Sequence, residues 1–96
     1  MSDIIFEWDD EKNKINKKNH GIAFEDAKLV FNDPNRIILP DLYHSEKEDR
    51  WLAIGIVSRI LFVVFTERSD NVIRIISARI GTKAEERLYN DHNNQT

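Results

Sequence analysis

Three runs rich in β-branched and aromatic residues, Trp51–Val57, Ile60–Thr66 and Val72–Ala78, follow one another with tight connections at Ser58-Arg59 and Ser69-Asp70-Asn71. Links this short leave no room for a crossover helix, so each strand should reverse and pair with the one before it. The chain is thereby committed to an antiparallel meander, which the rest of its 96 residues must cover. A chain of this length buries only about 60–65% of its unfolded surface, which allows one core and a single domain over residues 1–96. It contains no cysteine, so packing alone has to hold that core.

Ile4-Ile5-Phe6-Glu7-Trp8 reads as a first strand feeding a helix capped by Asp9, with Asp10 and Glu11 where the helix dipole favours acids. That helix is polar and lysine-rich, with Ile15 its only large apolar residue, so it should lie exposed along the surface. His20-Gly21 supplies a basic last turn and a C-cap glycine. Phe24, Ala27 and Phe31, joined by Val30, have helical spacing and predict a short second helix stopped by Asn32-Asp33-Pro34. Its cap falls on Ala23, which should cost about 1 kcal/mol relative to a capping Ser or Thr. Arg36–Leu39 predicts a short strand closed by Pro40, and the polar stretch Asp41–Asp49 a loop. Thr82, with Glu85 three residues on, forms a capping box for a last helix through Tyr89, after which Asn90–Thr96 is expected to fray. The result is an α+β fold, with two N-terminal helices and one C-terminal helix expected on one face of an antiparallel sheet.

Hydrophobic residues make up 41% and charged residues 32% of the chain, ordinary for a globular protein. The N-terminus has no basic segment followed by an apolar run, and no stretch approaches the roughly 20 apolar residues of a membrane span. A cytoplasmic location and no membrane partner are therefore expected. The net charge of -3 argues against a protein that holds long nucleic acid by bulk electrostatics. Charge is unevenly spread, however: residues 1–50 hold eight Lys/Arg against twelve Asp/Glu, and residues 51–96 six against five, with Lys83 the one lysine in that half. Arginine makes rigid bidentate contacts to phosphate, so the second half is the better place to look for an anionic ligand. His20, His44 and His92 lack ligand spacing, and no metal or other cofactor is expected.

Laid out in this order, the chain resembles the BrnT toxin family, small ribonucleases with a RelE-like fold encoded beside an antitoxin. The resemblance rests on Phe6-Glu7-Trp8-Asp9, His20-Gly21-Ile22, Phe24-Glu25-Asp26-Ala27 and Val30-Phe31-Asn32-Asp33-Pro34. It continues through Asp41, His44-Ser45-Glu46, Glu48-Asp49-Arg50-Trp51, Ile54-Gly55, Thr66-Glu67-Arg68, Ile73 to Arg79, and Glu86-Arg87 before Tyr89. No single piece is diagnostic, but an ordered set across about 80 positions is far more specific than a lone motif. The run Lys12–Lys18 departs from the family in being richer in lysine and asparagine. The resemblance implies a type II toxin that cleaves RNA without a metal and inhibits translation. It further implies a BrnA-like antitoxin as partner, with DNA contacted only through the antitoxin complex.

Metal-independent RNA cleavage needs a base for the 2′-hydroxyl, positive charge for the pentacoordinate phosphorus, a proton for the leaving 5′-oxygen and an in-line geometry. The resemblance points to Arg68 and Arg79, at the ends of successive meander strands, for the charge. His44 and Glu48, in the loop before the meander, are the acid-base candidates, since histidine both takes and gives protons near neutral pH. Arg50, Arg74 and Ser77 are expected to bind substrate. Period-two alternation puts Ile73, Ile75, Ser77 and Arg79 on one face of the last strand and Arg74, Ile76 and Ala78 on the other, so Arg74 and Arg79 should not share a face. Plainer readings stand beside these: His44 bonding only to backbone, Glu48 pairing with Arg50 or Lys47, Arg74 or Arg79 pairing with Glu67, Asp70 or Glu86, and Trp8 and Trp51 serving the core instead of stacking on bases. A different class also fits: a non-catalytic toxin-like module that pairs with an antitoxin and regulates its operon.

Overall fold

The computed structural model describes residues 3–43 and 49–94. In chain order the elements are β1 (Ile5–Glu7), α1 (Asp10–His20), α2 (Phe24–Ala27), a 3₁₀ turn (Lys28–Asn32), β2 (Ile37–Pro40), β3 (Trp51–Val57), β4 (Arg59–Ser69), β5 (Val72–Ile80) and α3 (Lys83–Asn93). The three apolar runs pair antiparallel as their short links require, Ala53 facing Val63 and Val63 facing Ala78. The five strands lie in the order β1-β5-β4-β3-β2. One edge corrects the expectation of a purely antiparallel sheet, because β1 pairs parallel to β5, with Phe6 opposite Ile73 and Glu7 opposite Arg74. No turn joins these two strands, so nothing local fixes their relative direction. The sheet is mixed.

The expected placement of all helices on one face is also corrected. On the first face, α2 and the 3₁₀ turn bury Phe24, Ala27, Val30 and Phe31 against Ala53, Leu61, Val63, Phe65, Ile75 and Ala78. Phe31 meets Phe6 at a tilt and Phe65 edge-on, with ring centroids 5.3 and 4.9 Å away, and Trp8 and Trp51 pack against the same core. On the second face, Tyr89 of α3 closes a smaller cluster over Ile37 and Ile54, edged by Leu39, Ile60 and Phe62. The meander is apolar on both faces at this end, which is why the last helix crosses to the far side. That helix also runs to Asn93, four residues past Tyr89, and Asn93 donates a hydrogen bond to the Asn35 carbonyl.

The asparagines of α1 explain part of its unusual composition. Ala23 makes no side-chain cap, as its chemistry demands, but Asn13 Oδ1 accepts the Phe24 N–H at 2.7 Å and supplies the missing cap from the neighbouring helix. Asn16 is buried against β5, where β1 has already ended. Its Nδ2 donates to the Ala78 carbonyl at 2.8 Å and its Oδ1 accepts the Ala78 N–H at 3.1 Å, doing for this stretch of edge what a strand's peptide group would do. At the opposite edge, Asp41 N–H donates to the Arg50 carbonyl. That pairing turns the missing N–H of Pro40 outward, where no ladder needs it.

A third cluster fastens α3. Asp33 accepts from the Tyr89 hydroxyl at 2.6 Å and from the Ile56 N–H at 2.8 Å, while Glu85, in its capping box, holds Arg79. The Arg79 hydrogen bond holds the Glu85 carboxyl below its ordinary 4.5 against the opposing effect of burial. Burial pushes the Asp33 carboxyl up, but the bonds from Tyr89, Ile56 and Asn35 outweigh it and leave it below 3.8. Burial, then the bond to Asp33, pushes Tyr89 up to about 12. Lowered carboxylates contribute stability above their unfolded values that is lost as pH falls through the folded ones, whereas a raised tyrosine contributes stability below its ordinary 10.0 that is lost as pH rises towards about 12. The melting temperature is therefore expected to fall below about pH 4 and again above about pH 10, with Asp33→Asn lower than wild type at neutral pH and less acid-sensitive. Parallel thermal melts across this range check it; equal neutral-pH values for the two proteins would show that the Asp33 bonds contribute nothing.

Candidate active site

Strand register decides which arginines meet. Between Val64 and Phe65 the pairing to β5 slips from Ser77 to Ile75, so Ile76 is an extra, bulged residue. The bulge overturns the simple alternation along β5: Ile73, Ile75 and Ala78 all enter the first core, and Arg74, Ser77 and Arg79 all fall on the second face. Arg74 and Arg79 share a face after all.

They do not share a site. Arg79 lies opposite Phe62, its guanidinium 4.1 Å from the ring centroid, and donates to Glu85 at 2.8 and 2.9 Å. That hydrogen bond keeps its pKa raised. Arg68 is six residues farther along β4 than Phe62, or roughly 20 Å at strand rise. Ends of consecutive antiparallel strands lie at opposite ends of the sheet, and so do these two arginines.

One end carries Arg50, Arg68 and Arg74, whereas Arg36 and Arg59 lie with Arg79 at the other. Arg74 lies opposite the buried Thr66, whose hydroxyl donates to the Asp49 carbonyl at 2.8 Å. Trp51 packs into the first core, so alternation puts Arg50 on the second face with Thr66 between it and Arg74. Two strand spacings separate the two backbones, about 9.5 Å. Glu7, opposite Arg74 on β1, accepts from its Nη1 at 2.8 Å. Arg68 lines an adjacent cleft of about 420 Å³ with Asp49, Trp51, Thr66 and Glu67. Ser77 sits one row towards Arg79, opposite Val64, which in turn faces Leu52. His44 and Glu48 lie outside the described residues. Tyr43 and Asp49, on either side of that loop, are at this same end, where Asp41 and Arg50 are bonded through their backbones.

Thr66 and Asp49 enter the sequence analysis only as parts of the resemblance and without a role at the site, because a β-branched residue in a strand and an acid in a loop carry no local signal of their contact. Glu85 was visible as a capping residue but not as the partner of Arg79, which only the chain reversal at Gly81 makes evident. Among the described residues no group of three or more His, Cys, Asp or Glu is placed to hold a metal, and no helix is long and apolar enough to cross a membrane.

Fold and site together define a small α+β protein with a mixed sheet, one end of which carries Arg50, Arg68 and Arg74 beside a polar cleft. The family model described as "Ribonuclease toxin, BrnT, of type II toxin-antitoxin system" matches residues 8–85, and the chain belongs to this BrnT family. Among solved structures it is similar to the Brucella abortus ribonuclease toxin BrnT, with 27% sequence identity, 85% of this chain and 99% of that chain covered, and a TM-score of 0.63. No curated protein matches the sequence.

Proposed function

We propose that the chain is the toxin of a type II toxin-antitoxin pair, a metal-independent endoribonuclease on a RelE-like scaffold that acts in the cytoplasm and arrests translation by cutting RNA. The observation that carries this reading is the gathering of Arg50, Arg68 and Arg74 around Thr66 at one end of the sheet. Guanidinium groups spaced across this row suit a phosphodiester, holding two of its oxygens while a third position faces the cleft. Arg68 is given the role of stabilising the pentacoordinate phosphorus, and Arg50, Arg74 and Ser77 that of holding the strand. His44 and Glu48 are given the proton transfers. One removes the 2′-hydroxyl proton, the oxygen bonds to the adjacent phosphorus, and the other protonates the departing 5′-oxygen. Arg79 stays in the proposal as the far boundary of the strand's path, its guanidinium bonded to Glu85 as that of Arg74 is to Glu7. A BrnA-like antitoxin would silence the enzyme by covering the second face, and DNA would be met only through that complex.

The test is incubation of purified protein with total RNA in excess EDTA. Fragments with a 5′-hydroxyl and a 2′,3′-cyclic phosphate, or the 3′-phosphate that its hydrolysis gives, are expected, since attack by the neighbouring oxygen leaves no 5′-phosphate. Absence of cleavage, with a stoichiometric antitoxin complex still forming, would select the non-catalytic regulatory module instead.

A further inference from the structure

Residues 12–20 of α1 hold Lys12, Lys14, Lys17, Lys18 and His20 and no acid, in a chain whose net charge is -3. Part of this charge serves the helix itself, with Lys17, Lys18 and His20 in its last turn and Lys14 3.5 Å from Glu11, while Asn13 and Asn16 make the contacts to α2 and β5 and the lysines are all exposed. Beside this helix, where β1 ends and β5 bulges, lies a groove of about 220 Å³ lined by Lys12, Ile15, Asn19, His20, Ile76 and Ser77. Ile15 is 55% exposed at its rim, and Lys12 and Lys18 are its neighbours at three residues either way. The bulged Ile76 belongs to this part of the edge. Ser77 belongs to both surfaces, since it also faces Val64 in the row between Arg74 and Arg79.

We infer that the groove between α1 and the bulged edge of β5 is a second subsite for single-stranded RNA, continuous with the Arg74 end of the sheet through Ser77. The inference rests on the proposed ribonuclease reading. The ammonium group of Lys12 in the groove, and that of Lys18 one helical turn from Ile15, suit phosphates, the apolar surface of Ile15 and Ile76 suits the face of an unpaired base, and Asn19 offers a donor and an acceptor to its edge. A strand leaving the cleavage site would turn over Ser77 and follow α1, so the lysines would act on long RNA and not on a dinucleotide.

The experiment uses the full chain and a 2′-O-methyl RNA of about a dozen nucleotides, which lacks the attacking hydroxyl, with affinity measured across a salt series. Lys12→Gln combined with Lys18→Gln is expected to make the slope of log affinity against log salt shallower by about 1.4, at about 0.7 for each phosphate no longer neutralised. Dinucleotide cleavage should be unchanged. Lys14→Gln with Lys17→Gln, on the opposite flank, should keep the wild-type slope. An unchanged slope in the first variant, or an equal loss in the second, overturns the groove while dinucleotide cleavage leaves the functional reading standing. Wild-type protein that neither binds nor cleaves RNA overturns both. Loss of antitoxin affinity with an unchanged RNA slope makes the surface a protein contact and overturns the subsite.

Discussion

Arg68→Ala is expected to lower the rate of RNA cleavage by about 100- to 1000-fold, the size of effect seen when one group facing the developing charge is removed from a transition state. The residue is exposed at the end of β4, so its loss should leave thermal stability within about 0.5 kcal/mol of wild type. Arg79→Ala makes the informative comparison. Its guanidinium joins the capping box of α3 to the sheet, and breaking a pair that is 36% and 18% exposed should cost about 1 kcal/mol with little change in cleavage by the folded fraction. Single-turnover cleavage rates and thermal melts of the two variants separate the roles. A folded Arg79→Ala that has lost cleavage, beside an Arg68→Ala that retains it, would move the chemistry to the α3 end of the sheet.

The sequence made the elements readable because their signals are local. Asp9 and Gly21 bracket α1, Thr82 and Glu85 open α3, and the meander declares itself by short links between β-rich runs. What it withheld was direction and register over distance. Whether β1 runs with or against β5 depends on contacts between residues more than sixty positions apart, and no local residue type encodes it. The bulge at Ile76 had no glycine or proline to announce it, yet it moved Arg79 and Ser77 onto the face of Arg74. Separation of Arg68 from Arg79 follows, by contrast, from antiparallel pairing alone, although the resemblance pointed to both for one site. The family motif also mixes purposes. Asp33 and Tyr89 belong to the resemblance but meet as a fastening for α3, and a Cβ on Gly55 would come within 2.9 Å of Val30 Cγ1 where the 3₁₀ turn crosses β3.

Asn16→Ala should be among the more damaging single changes in the chain, although it removes only a polar side chain from an otherwise exposed helix. The side chain is 6% exposed and makes three hydrogen bonds: two with Ala78, and a third in which Nδ2 donates to the Ile22 carbonyl at 2.8 Å. Alanine would leave the Ala78 N–H and carbonyl without those partners where no strand replaces them. A buried backbone group so stranded costs about 1–3 kcal/mol, which puts the expected destabilisation at roughly 2–4 kcal/mol. Ile15→Ala, one residue away but half exposed, should cost less than about 1 kcal/mol. Denaturant unfolding of the two variants measures both. Because Asn16 fixes β5 just beyond the bulge, the part of Asn16→Ala that stays folded should also hold RNA less well at Ser77. A loss below about 0.5 kcal/mol would mean that water or a shifted helix satisfies Ala78 just as well, and the helix would then be an adaptable cover for this edge instead of the group that fixes it.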